Sequence, residues 1–286
     1  MTNDPYYIDF PGRIKAIQRE MAIDGIDVYL GSRLRTMSWT TDAFFPWRSY
    51  IVIPAEGMPT AFTFVIDAAR AADESWLDSD HVLGFAPMGG QDQITAISDL
   101  ILSHLKGKKG VVGVEAGMSN YLPEGNLTYF EYQAFEAALP GIKLVNALDI
   151  VDRLSVIKDE GTINRFRKAG LMADAGHVAV LNAIKNGGFK KYTETEIAGI
   201  AAMAMREAGS TWEWSFTGGN EIASGYRTGL MGGACTPPTD RKLQAGEPLM
   251  VDLHSTFRLG LGDHTHNYLL APATDRQKWH AKNFVD

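Results

Sequence analysis

Cysteine is nearly missing from this chain: among 286 residues only Cys235 carries a thiol. An internal disulfide is thereby excluded, and the composition fits a reducing compartment. No apolar stretch reaches the roughly 18 residues that a membrane-spanning helix needs. The opening M-T-N-D-P-Y-Y-I-D-F lacks the basic segment and apolar core of a secretory signal. A cytoplasmic protein without membrane attachment is expected. Basic clusters are also scarce. Apart from Lys106-Gly107-Lys108-Lys109 there is none, and the net charge is −7, so the basic face that nucleic acid requires is not in prospect. No repeat of solenoid length is present, and no histidine lies between His177 and His254. What the chain does contain, 45% hydrophobic and 21% charged residues, is the make-up of a globular protein long enough for two domains.

The first half alternates helices with strands. Ile14, Ile17 and Met21 recur at helical spacing between charged residues, and Gly25 closes that helix. A short buried strand, Asp27-Val28-Tyr29-Leu30, follows. Next come the run Ser49–Pro54, a turn at Glu56-Gly57, the strand Pro59–Phe64, a helix over Gln93–Lys106 and the strand Gly110–Glu115. This order predicts a mixed or parallel sheet covered on both faces. Ile142–Val145 reads as its last strand, which sets a first domain at residues 1–150 and a second at 151–286.

A long helix begins near Asp159 or Thr162, with an inward stripe of Ile163, Phe166, Gly170, Ala173, His177, Val180 and Ile184. His177 on that stripe reads as a packed, hydrogen-bonded histidine. Thr193-Glu194-Thr195-Glu196 has the form of a capping box opening another helix, whose inward face is Ile197, Ile200, Ala201, Ala204 and Met205. Thr211-Trp212-Glu213-Trp214-Ser215-Phe216 alternates as a strand would.

The richest stretch is Gly246–Ala271. Asp252 closes the apolar run Leu249-Met250-Val251, and Asp263 follows eleven residues later, between flanks of strand-forming residues. If the chain folds back near Phe257-Arg258, the two aspartates face each other across a hairpin, about 4.5–5.5 Å apart at Cβ. Carboxylates that close repel unless a cation separates them or one keeps a proton. Hard and borderline divalent ions take such ligands. A solvated hairpin with aspartates in its turns has the same spacing, and spacing alone leaves both readings open. His254, two residues beyond Asp252, faces the same side of the strand.

The approach Arg241-Lys242-Leu243-Gln244-Ala245-Gly246-Glu247, followed by Asp252, Asp263 and Thr265, resembles the first metal-ligand motif of the pita-bread metallopeptidase family. That family includes Xaa-Pro dipeptidases, aminopeptidase P and creatinase. The segment Leu154–Ile163 resembles the family's entry to its catalytic domain, and the first half is similar to the N-terminal domain of creatinase and prolidase. The resemblance implies an α/β N-terminal domain of the creatinase/prolidase kind, followed by an α+β pita-bread domain of which only about the first half is present. It implies Asp252 and Asp263 as ligands of two divalent ions (Mn, Co, Zn or Fe); His254 and His266, from their places beside these aspartates in the sequence, are expected to steer substrate. It also implies a homodimer.

Three departures from the family pattern stand out. Cys235 occupies the place, seventeen residues before Asp252, where peptidase members carry a substrate-binding histidine. His266 replaces an arginine that supports the second aspartate. The histidine and two glutamates that complete the family's site are missing before the chain stops at Asp286. A C-terminal fragment loss or a degenerate homologue, inactive by itself, is therefore expected. In a complete parent the implied reaction is hydrolysis of a C–N bond in a small Xaa-Pro peptide. The alternatives are a non-peptidase relative acting on a small zwitterion (creatinase-, ectoine hydrolase- or sulfoniopropionate lyase-like) and an inactive binding homologue. Cys235 and the aromatic run Trp212–Phe216, suited to cation–π contact, favour the zwitterion.

Overall fold

The computed structural model describes residues 4–86, 91–107, 109–118, 124–212, 219–233 and 236–285. Contacts divide the chain into two compact units, Ile8–Asp159 and a second made of Glu160 onward together with the segment ahead of Ile8. The division falls at Asp159–Glu160 rather than at residue 150. The reason is the short helix Asp149–Ser155, whose Ile150 and Val151 are fully buried in the first unit's core.

In that first unit, helix α1 (Phe10–Asp24) is capped by the Asp9 carboxylate, which accepts from the Gly12 N–H, and closes on Gly25 at φ 67°. Six strands follow, β1 (Val28–Gly31), β2 (Tyr50–Pro54), β3 (Thr60–Phe64), β4 (Val82–Phe85), β5 (Val111–Val114) and β6 (Lys143–Asn146), together with helices α2 (Leu34–Thr41), α3 (Val65–Glu74), α4 (Gln91–Leu105), α5 (Tyr129–Ala138) and α6 (Asp149–Ser155). They are ordered β4-β3-β2-β1-β5-β6. β1 is antiparallel to β2 and parallel to β5. Both central strands are buried along their whole length, since apolar clusters cover the two faces: Ile17, Met21, Tyr29 and Ile53 on one, Leu30, Val52, Ile97 and Phe135 on the other. Strands enclosed in this way carry continuous rather than alternating apolar runs.

Beneath that sheet lies an ionic network with no signal in the sequence pattern. Glu115, fully buried, accepts from the main-chain N–H groups of Ser32 (2.6 Å) and Arg33 (2.7 Å), from the Tyr29 hydroxyl (2.8 Å) and from Arg33 Nε (2.9 Å). The rest of the buried Arg33 guanidinium reaches Asp152 and the Leu148 carbonyl. A buried charge is tolerated only when paired and saturated with hydrogen bonds, and both partners meet that condition. Burial and the Glu115 charge together push the Tyr29 hydroxyl well above its ordinary range. Arg48 is likewise committed inside this unit, to both oxygens of Glu131.

The second unit holds helices α7 (Glu160–Ile184) and α8 (Glu194–Glu207), strands β7 (Glu221–Ser224), β8 (Pro248–Phe257) and β9 (Gly260–Leu269), and a final helix Asp275–Val285. The sheet order is β7-β8-β9, with both pairings antiparallel. The capping box at Thr193 and Glu196 is formed in both directions. Glu194, fully buried, accepts from the N–H and hydroxyl of Ser224 and of Thr239, which ties the start of α8 to β7.

Along α7 the buried stripe follows expectation from Ala173 through His177 and Val180 to Ile184, but its first turns are rotated by one position. Arg165, Ala169 and Met172 face inward, while Phe166 is 40% exposed. Arg165 is drawn in because Nε donates to the Tyr6 carbonyl and Nη1 to the Arg258 carbonyl. Residues 4–7 pack in this unit. Tyr6 meets Phe257 edge to face at 4.8 Å, and Asp4 pairs with Arg258 at 2.7 Å. Among the described residues no helix is long and apolar enough to cross a membrane.

Candidate metal centre

The β8–β9 ladder runs from Pro248↔Leu269 to Phe257↔Gly260. Alternation along β8 turns Leu249, Val251 and Leu253, all fully buried, into the apolar cluster shared with α7 and α8. The same alternation sends Asp252 and His254 to the opposite face.

The hairpin turns through Arg258 and Leu259, both left-handed at φ 46° and 61°. A two-residue turn with both centres left-handed matches the twist of the flanking strands, although Asn-Gly is its usual composition. Here the geometry is imposed from outside. A Cβ on Gly260 would stand 2.7 Å from Arg165 Cβ and 2.9 Å from its carbonyl carbon, so β9 must enter where only glycine fits against α7. The turn is thus one residue later than the Phe257-Arg258 centre expected from sequence, and every pairing shifts by two. Asp252 faces Thr265, and Asp263 faces His254. The aspartates are diagonal neighbours on one face rather than directly opposed.

The shift places an imidazole between them. His254 Nε2 lies 3.7 Å from Asp252 Oδ2 and 3.5 Å from Asp263 Oδ1. One ligand atom from each of the three residues falls within 4.8 Å of the others. Their exposure is graded: the side chains are 7% exposed for His254, 18% for Asp252 and 70% for Asp263. His254 is anchored by its own backbone N–H, which donates to Asn220 Oδ1 at 2.8 Å, and by Nδ1, 2.8 Å from the Gly219 carbonyl. The Thr265 hydroxyl donates to Asp252 Oδ1 at 2.7 Å. Burial is the main force raising the Asp252 pKa above its ordinary value. The Thr265 hydrogen bond and His254 pull the other way, and the charges of Asp263 and Glu221 add to the rise. A carboxylate under that strain, beside a second carboxylate and an imidazole nitrogen, is a donor set suited to a first-row divalent cation.

His266 is not part of this group. It pairs with Val251 on the other face of the hairpin and stacks on His177, ring centroids 4.0 Å apart. The expected role for it in steering substrate beside the aspartates fails on the two-residue period of the strand. His264 sits on that same far face, with Nδ1 3.1 Å from Asp174 Oδ1. Of the three histidines of the hairpin, only His254 joins the aspartates.

Sequence reasoning missed Glu221. It opens β7, pairs directly with Asp252 and is 3% exposed. β7 has only four residues, all buried, so it has no alternation to signal it. Cys235 and residues 213–218, which include most of the aromatic run, lie outside the described residues. Trp212 is described and is half exposed.

A mixed α/β unit followed by a unit whose three-stranded sheet carries Asp252, His254 and Asp263 on one face defines the class, and comparison with known proteins agrees. Residues 13–157, half of the chain, match the creatinase/prolidase N-terminal domain, and residues 164–283 match metallopeptidase family M24. The chain belongs to that family: a creatinase/prolidase-type N-terminal domain followed by a pita-bread domain.

The ectoine hydrolase of Halomonas elongata is 28% identical over 200 residues, 66% of this chain and 48% of the relative. The Xaa-Pro dipeptidase of Pyrococcus horikoshii is 27% identical over 171 residues, 59% of this chain and 44% of the relative. The chain therefore spans about half the length of the curated relatives it matches. Among solved structures, the P. horikoshii prolidase superposes with a TM-score of 0.70 at 20% identity, covering 94% of this chain and 67% of the other. The Xaa-Pro dipeptidase of Bacillus anthracis gives 0.72 at 18% identity, covering 95% and 68%. These likenesses establish the fold.

Proposed function

We propose that the protein is a metal-dependent hydrolase that cleaves a C–N bond in a small peptide of the Xaa-Pro type. The observation that carries this reading is the convergence of Asp252, Asp263 and His254 on one face of the β8–β9 hairpin. Asp252 and Asp263 are the residues that would hold divalent ions of the Mn, Co, Zn or Fe class. When bound, such ions supply Lewis acidity and an activated water. The chain's own residues have separate tasks. Thr265 orients the Asp252 carboxylate through its hydroxyl. Leu253 and Val251, on the reverse face, lock the strand into the core so that the donors keep their spacing. Asp263, largely exposed, leaves an approach for substrate. The two-ion form needs donors beyond this trio. We further propose a cytoplasmic homodimer as the working unit.

A second reading is favoured by one comparison: the relative matched over the larger share of this chain is an ectoine hydrolase, which points to a small zwitterion as substrate. Both readings are tested together. The complete gene product is purified, stripped of metal, reloaded with Mn(II) or Co(II), and offered Xaa-Pro dipeptides alongside ectoine- and creatine-like zwitterions. Metal-restored turnover of one class, lost in Asp252→Asn and Asp263→Asn, is the expected result. Turnover that survives both substitutions rules out this site as the seat of the reaction.

A further inference from the structure

Resting on the metal-dependent reading and narrowing it, we infer that His254 is itself a metal ligand, bonding a first-row divalent cation through Nε2 together with Asp252 and Asp263. The other ring nitrogen is already committed. Nδ1 lies 2.8 Å from the Gly219 carbonyl oxygen, which has no proton to give, so Nδ1 carries the ring proton. In the neutral ring Nε2 then holds a lone pair, and its nearest charged neighbours are Asp252 Oδ2 at 3.7 Å and Asp263 Oδ1 at 3.5 Å. Three lone-pair atoms thus face one another.

Neither separation is a hydrogen bond, since N–H···O contacts end near about 3.2 Å. Both are close to the edges of a coordination sphere. Two donors each about 2.1 Å from a common ion, at octahedral to tetrahedral angles, stand roughly 3.0–3.4 Å apart. Bringing Nε2 to that separation from each carboxylate asks for a few tenths of an ångström. An imidazole whose Nδ1–H is held by a backbone carbonyl while Nε2 binds metal is a recurrent arrangement, because the hydrogen bond fixes tautomer and ring orientation. His254 satisfies the remaining demands: its side chain is 7% exposed, and its backbone N–H is pinned to Asn220.

The presence of a nitrogen donor also sets the class of ion. Imidazole suits Zn(II) or Fe(II) over Ca(II) and Mg(II), which prefer oxygen alone.

The test uses the whole chain, metal-free and labelled with ¹⁵N in its histidines, titrated with ZnCl₂ near pH 7.5. His254→Gln assigns the His254 resonances. The expected result is an unprotonated Nε2 that changes shift as one equivalent of Zn(II) binds, while Nδ1 stays protonated. Excess Mg(II) leaves the spectrum unchanged. In calorimetry, His254→Ala and His254→Gln each weaken Zn(II) binding by at least about tenfold. The wild-type spectrum alone decides the ligand question, should either variant fail to fold. If both nitrogens of His254 are protonated and unmoved at saturating Zn(II), while Asp252→Asn abolishes binding, the His254 ligand is wrong and the metal-dependent reading stands. If the wild-type chain binds no Zn(II), Co(II) or Mn(II), both fall.

Discussion

His177 is held at both ring nitrogens: Nδ1 lies 3.1 Å from the Tyr268 hydroxyl and Nε2 3.0 Å from the His264 carbonyl. Burial pushes its pKa down to about 4, against an ordinary 6.5. For a base depressed in the folded state, the unfolded chain binds more protons throughout the interval between those values, so stability rises with pH there. The contribution is fully present above about pH 6.5 and is lost as pH drops toward about 4, by something of order 2 kcal/mol. Urea unfolding of the wild type at several pH values across that interval should show the loss. His177→Gln should start less stable at neutral pH and lose less on acidification. An equal acid slope in both proteins would assign the pH dependence elsewhere.

At this scale the sequence was a partial guide. It identified His177 as a packed histidine and put His254 on the face of Asp252. It failed for His266, although the two-residue period of a strand already puts position 266 on the face opposite Asp263. Glu221 and the Glu115–Arg33 pair were invisible, since a buried carboxylate leaves no periodic trace in the chain that carries it.

The β8–β9 hairpin was legible as an element and illegible in register. Strand-forming residues flank a turn, and that much is local. The turn's centre is set by how closely β9 lies on the backbone of α7, which is a tertiary fact. Gly262 shows the tightness of that approach: a Cβ there would stand 2.6 Å from Ser255 Oγ and 2.7 Å from the Ala169 carbonyl carbon. Helix backbone cannot yield as a flexible side chain can. Gly262→Ala should therefore destabilise the unit by about 1–3 kcal/mol, the usual cost of overpacking. It should also weaken Zn(II) affinity, since Gly262 adjoins Asp263. The urea midpoint and a calorimetric titration check the two effects. An unchanged midpoint would mean that β9 is not pressed onto α7 as described. The rotated first turns of α7 have the same origin. Arg165 displaces Phe166 from the inner face because two carbonyls, from Tyr6 and Arg258, await its donors.

For the whole molecule, the two units have separate apolar cores, and perturbations can be aimed at either. Glu115→Ala removes the Nε partner of Arg33 and the acceptor of two main-chain N–H groups in the first unit, and should cost about 3–5 kcal/mol. Hydrogen exchange should register that loss in Ile8–Asp159. Saturating Zn(II) acts on the native form of the other unit. At a hundredfold excess over Kd it should add about 2.7 kcal/mol, seen as slower exchange along β8 and β9. Asp252→Asn should remove that gain. Slowed exchange in the first unit instead would mean that the metal binds somewhere other than the hairpin. The α/β character of the first part was readable from the order of helices and strands, whereas the α+β reading of the second came from its resemblance to a known family. The membership of residues 4–7 was not, because contacts made across more than 250 positions have no local signature.

That last contact also bears on the order of events during synthesis. All of Ile8–Asp159, with both of its apolar clusters, has been synthesised by the time Glu160 is added, so its core can form ahead of the second unit's. Asp4 and Tyr6, although made before that portion, meet their long-range partners only once Arg165, Phe257 and Arg258 emerge. Non-local pairings of this kind are the slow ones. Residues 4–7 are therefore among the last parts of their unit to find their place.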